Sequence, residues 1–216
     1  MAEDTVPRLG RFIRHAAIAR AGSLAAAALS HVLAIRWLGA AAYGEFVLAE
    51  ATVFALGVVA LYGNHLACFA LAEQHPPAHP RSLLVEGSRV ILVLWFAEIA
   101  IAGLAVRLVP AASAPDAPML LAGAAAILGL TLYRYVSELL RVAVSAELAN
   151  YFSGRGTGFV ASLVFCVLVA LAGFGADGLR DAQSLLLRYA VAQWVATGIG
   201  LARSEEHTSE LQSPCN

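Results

Sequence analysis

Two long stretches without charge constrain this chain more than anything else in it. Ala51 to Ala72 is 22 residues with no Asp, Glu, Lys or Arg, and Gly156 to Ala176 is another 21. About 20 consecutive apolar residues cross the hydrocarbon core of a bilayer, so each stretch has the length of a membrane span. The rest of the composition agrees. The chain is 60% hydrophobic and 13% charged, with a mean hydropathy of +0.73, whereas soluble domains carry about 25% charge. With no water in the hydrocarbon to satisfy the backbone, a span of this length is helical. The expected fold is therefore all-α, a polytopic membrane bundle.

Polar breaks divide the chain into six apolar runs. A basic lead, residues 1–14, precedes span 1, roughly Ala16 to Leu38. Arg8, Arg11, Arg14 and Arg20 flank this run, which is too long for a signal peptide and lacks a clear cleavage site. Its uncharged part, Ala21 to Ile35, covers only about 22 Å at 1.5 Å per residue, which places Arg20 and Arg36 near opposite interfaces. Span 2 covers roughly Phe46 to Ala72, and the proline-broken loop 73–81 ends it. Spans 3 to 6 cover roughly Ser88–Val109, Met119–Leu140, Phe159–Gly175 and Ser184–Ala202. A polar stretch, Arg141 to Gly158, separates spans 4 and 5. With alternating spans and a cytoplasmic N-terminus, nine arginines lie inside (8, 11, 14, 20, 81, 89, 134, 141, 155) and four outside (36, 107, 180, 188). Positively charged residues favour the cytoplasmic side, so the N-terminus is expected there.

Other classes find little support. All 14 basic residues are Arg, and no basic face carries interleaved aromatics, which argues against nucleic-acid binding. Cys68, Cys166 and Cys215 form neither a disulfide framework nor a metal spacing. Ser153-Gly154-Arg155-Gly156-Thr157-Gly158 is glycine-rich but leads into a span with no strand before it, so it reads as a loop and not as a phosphate cradle. No enzyme signature, cofactor or metal site is expected.

The junction between spans 1 and 2 is more specific: Arg36-Trp37-Leu38-Gly39-Ala40-Ala41-Ala42-Tyr43-Gly44-Glu45-Phe46. Trp37 and Tyr43 suit the headgroup layer, and Gly39 and Gly44 permit a tight reversal. An arginine followed by Leu-Gly, then Tyr-Gly and a second apolar run, resembles the helix 1–helix 2 junction of polysaccharide and O-antigen flippases, relatives of the MATE-like exporters. The resemblance implies one six-helix bundle of a larger transporter in a bacterial inner membrane, moving polyprenyl-diphosphate-linked oligosaccharides. Its partners would be membrane lipids and that lipid-linked substrate. A cation-coupled multidrug exporter of the MATE-like class and a small six-span scaffold protein stay open as alternatives.

Residues 15–202 thus form the expected bundle, and residues 203–216 break the pattern. Arg203 to Ser213 resembles the translation of a widely used sequencing-library adapter. The expectation is that this tail is an assembly artefact and that the native protein continues past Ala202.

Charges inside the spans are the candidate working residues, since burying one in lipid costs at least a few kcal/mol. Glu98 lies near the centre of span 3, and Glu50 one turn inside span 2; both are candidate coupling or cavity acids. The resemblance implies a cavity that presents arginines to a diphosphate, for which Arg20, Arg36 and Arg134 are the candidates. Arg134 and Glu138, four residues apart, read as a local helix pair. His31, Asn64 and His65 read as interhelical hydrogen-bond partners.

Overall fold

A computed structural model describes residues 5–61, 63, 80–108, 115–153, 158–175 and 179–212. Asn64, His65, Cys68, Cys215 and residues 154–157 of the glycine-rich loop lie outside that set. The described residues are helical: α1 (Thr5–Leu61), α2 (Pro80–Val106), α3 (Ala117–Ala143), α4 (Ala146–Phe152), α5 (Phe159–Phe174) and α6 (Ala182–Gln212). The all-α bundle expected from the apolar runs is the fold.

Spans 1 and 2 form the two arms of α1. The helical path breaks at Gly39, where φ is 78° and ψ 168°. This corner of dihedral space is essentially restricted to glycine. Beyond it the chain turns back. The Tyr43 hydroxyl lies 3.1 Å from His31 Nδ1, twelve residues earlier, a separation that an unbroken helix would stretch to about 18 Å. Gly44, the second glycine expected to serve the reversal, has no positive φ, so Gly39 alone supplies the turn.

Contacts between the helices establish their directions. Ser23 meets Ser162 at 3.3 Å and the Trp37 ring stacks edge-on to Phe174 at 5.4 Å, so the first arm of α1 runs parallel to α5. Trp95 Nε1 donates to Ala124 O (2.9 Å) and the Tyr135 hydroxyl donates to Leu83 O, so α2 and α3 are antiparallel. Trp194 Nε1 donates to Ala125 O at 3.1 Å and Gly200 abuts Val136, so α6 runs parallel to α3. The bundle therefore alternates up and down in chain order. Its centre is aromatic: Phe46 stacks on Phe165 at 6.1 Å, and Tyr189 meets both rings edge-on. Ala126, Ile127, Leu130, Val169 and Leu185 close around them.

α1, α2, α3 and α6 each contain a stretch long and apolar enough to cross a membrane. The turn at Gly39 leaves the 40–61 arm about 33 Å long, a full crossing. α5 is shorter, with 16 residues, or about 24 Å. α2 lies on the outside of the bundle, and Val93, Phe96, Ile101 and Leu104 are each more than 60% exposed. Apolar exposure on that scale suits hydrocarbon, not water.

Two features depart from the sequence reading. The stretch 141–158, expected to be merely polar, contains α4, which starts because Ser145 caps it by accepting from Leu148 N at 3.0 Å. α6 does not stop at Ala202 but runs to Gln212; residues 203–213 contain no Gly or Pro to break it.

Candidate functional site

Two helix faces carry most of the polar groups of the candidate site. On α3, Thr131, Arg134, Glu138 and Arg141 recur at i, i+3, i+7 and i+10, one stripe of an otherwise apolar helix. On the parallel helix α6, Tyr189, Gln193 and Thr197 recur every fourth residue and all are buried. The sequence reading took Arg134 and Glu138 from this arrangement and missed Arg141, Tyr189 and Gln193. The missing signal was the repeat of polar residues along one face, which a residue-by-residue search for buried charge passes over.

Arg134 sits in the interior, half-buried, with its guanidinium 4.3 Å from the centroid of the Phe54 ring on the second arm of α1. Tyr189 lies within electrostatic reach of both Arg134 of α3 and Glu50 of α1. Gln193 is fully buried, and its side chain lies beside the Tyr189 hydroxyl. Thr131 donates to Ile127 O of its own helix at 2.7 Å and lies 3.4 Å from Gly57 O of α1.

One turn beyond Arg134, the expected pairing changes. Glu138 closes its ion pair with Arg141, at 3.4 Å, at i+3; the sequence reading had paired it with Arg134. The stem of Arg134 instead reaches across to α1, because the face it occupies points at Phe54. Below this, at the end of the bundle that holds the N-terminus, a cavity of about 470 Å³ is lined by Arg20, Ser23, Glu138, Arg141, Asn150 and Ser153, with Ala16 at its edge.

The three candidate arginines are thus not brought together. Arg20 lines the cavity. Arg134 lies in the interior above it. Arg36 is exposed at the opposite end, beside the Gly39 turn, in keeping with an interfacial residue. Of the acids, Glu50 is half-buried and faces Tyr189. Glu98 stands apart on α2, with both carboxylate oxygens buried and without a hydrogen-bond partner among the described residues. His31 bonds Tyr43, as an interhelical partner should.

Comparison with family models, with curated proteins and with solved structures finds no significant match.

Proposed function

We propose that this chain is one helical bundle of a transporter that moves polyprenyl-diphosphate-linked oligosaccharides across a bacterial inner membrane, with its N-terminus on the cytoplasmic side. The observation that carries the reading is the guanidinium of Arg134, held inside an apolar bundle over Phe54. An arginine near the middle of a span costs about 2.5–3.5 kcal/mol on insertion scales. A cation–π contact with Phe54 contributes about 0.5–2 kcal/mol toward that cost. A positive charge held at that depth suits an anionic group passing through the bundle, and the diphosphate of the substrate implied by the helix 1–helix 2 junction is such a group. Rocking of this bundle against a second one would expose the path alternately to the two sides.

The test is Arg134→Ala and Arg134→Lys in the full-length protein, with surface polysaccharide output as readout. Loss of one charge-assisted contact predicts a fall of roughly tenfold or more for Ala, and a partial return with Lys. Unchanged output from both variants would remove the reading.

A second reading, cation-coupled export of drugs, is favoured by one feature: the buried carboxylate of Glu98, which has no hydrogen-bond partner among the described residues. It predicts that Glu98→Gln abolishes export while Arg134→Ala spares it, the reverse of the first reading.

A further inference from the structure

The cavity at the N-terminal end of the bundle has a chemistry of its own. Three elements build it: the first arm of α1 carries Arg20 and Ser23, the end of α3 carries Glu138 and Arg141, and α4 with the residue after it carries Asn150 and Ser153. Its volume, about 470 Å³, lies in the range of clefts that hold small ligands, about 300–1,000 Å³. α4 is held over it by a hydrogen bond of 2.8 Å between the Tyr151 hydroxyl and His15 Nδ1, with the two rings edge-on.

Three polar groups in this cavity are left over. Arg20 makes no ion pair or hydrogen bond among the described residues. Among the described residues, Asn150 Nδ2 is buried and finds no acceptor. Among the same residues Glu138 Oε2 is buried and finds no hydrogen-bond donor, although Arg141 lies 3.4 Å away as its counter-charge. The Glu138 side chain is only 18% exposed, so water does little for it. Unmet buried donors and acceptors are costly, and here they are an amide N–H that needs an acceptor and a carboxylate that needs a donor, beside the exposed guanidinium of Arg20 that lines the same cavity. A plain anion would satisfy Arg20 and Asn150 and leave the carboxylate repelled.

We propose that this cavity binds the phosphoethanolamine headgroup of a membrane phospholipid. Its phosphate accepts from Arg20 and Asn150, and its primary ammonium donates to Glu138 Oε2. The position suits a lipid. The apolar stretch of α3 ends at Val142, beside Arg141, so the cavity opens at the level where headgroups lie, and basic pockets between spans are lipid sites elsewhere. The site is separate from the Arg134 region and does not depend on the transport reading.

The experiment is native mass spectrometry of the purified chain released from micelles or nanodiscs with equal amounts of phosphatidylethanolamine, phosphatidylcholine and phosphatidylglycerol. Phosphatidylcholine has the same net charge as phosphatidylethanolamine but no N–H to donate. Retention of phosphatidylethanolamine should exceed that of the other two by roughly tenfold, the size of one charge-assisted hydrogen bond. Glu138→Gln should bring the ethanolamine and choline lipids to near parity, and Arg20→Ala should weaken all three. Equal retention of ethanolamine and choline lipids by the wild-type chain overturns the proposal without recourse to any variant. Preferential retention of phosphatidylglycerol overturns it in favour of a simple anion site. Added O-phosphoethanolamine should displace the lipid only weakly, and full displacement at matched concentration would overturn the lipid as the source.

Discussion

Gly39 carries more of the fold than any other single residue. Its dihedral angles, 78° and 168°, lie where side chains with a Cβ are strained by about 1–3 kcal/mol. No neighbour lies within 4 Å of where its Cβ would be, so the cost of replacing it is conformational and not a clash. Gly39→Ala should therefore lower stability in detergent by about 1–3 kcal/mol. Gly44→Ala, in a position that is also open but helical, should be neutral or raise stability by up to about 1 kcal/mol. Thermal unfolding of the two variants side by side checks both signs. If Gly44→Ala is the more damaging, the turn has been assigned to the wrong glycine. Arg134 is the second residue of consequence. Its neighbours Phe54 and Tyr189 come from two other helices, so its environment exists only when all three are assembled.

Among the elements, α4 is the smallest and the most dependent on others. Seven residues cannot hold a helix on propensity alone, because nucleation is unfavourable. Its Ser145 cap and the docking of Ala149 and Phe152 against Tyr133, Val136 and Ala196 make up the deficit. The His15–Tyr151 bond ties it to α1. Tyr151→Phe removes that bond and leaves the ring contacts, and should cost about 0.5–1.5 kcal/mol. The loss should appear as faster hydrogen exchange across 146–152, with α3 and α6 unchanged. Exchange that stays as slow as in the parent would mean that capping and apolar docking hold α4 without α1. The close fit of α1 on α5 makes a related point. The Trp37 ring lies where a Cβ on Gly173 would be, so even Gly173→Ala displaces the indole that anchors the turn.

At the scale of the whole molecule, alternation of the helices places Arg20 and Arg141 at one end and Arg36 at the other. Arg20 and Arg141 share a cavity, while Arg36 lies beside the Gly39 turn. In cells whose protein has Cys68, Cys166 and Cys215 replaced by serine, single cysteines at 20 and 141 should react with a membrane-impermeant thiol reagent from the same side, and a cysteine at 36 from the opposite side. The arginine count predicts that the outside-accessible position is 36. Labelling of all three from one face would dismiss a chain that crosses the membrane in this order. The same arrangement explains the exposed apolar face of α2. That helix packs against α3, through Trp95 and Tyr135, and against α1, through Ile91 and Leu61, and offers its exposed apolar face to hydrocarbon.

The sequence by itself determined the class and the path of the chain. Uncharged runs of membrane length admit only helices, because an apolar medium leaves the backbone no other partner. Trp37, Gly39 and Tyr43 marked the first reversal, because a turn that sharp needs a residue free of Cβ and an interface suits amphipathic rings. Arg20 and Arg36 could be placed at opposite ends from helix rise alone. What only the tertiary structure decided is which faces meet. The partner of Glu138 is Arg141, and not Arg134, because rotamer and helix contact choose between i−4 and i+3 when spacing allows both. Gln193 and Tyr189 became interior groups through the parallel packing of α6 on α3. Arg20, Glu138 and Asn150 became one cavity through three segments more than a hundred residues apart in sequence at their extremes. Periodicity assigns a residue to a face of its own helix. The neighbour that covers the face is set by packing across the bundle, and the chemistry of a site made from several helices is settled there.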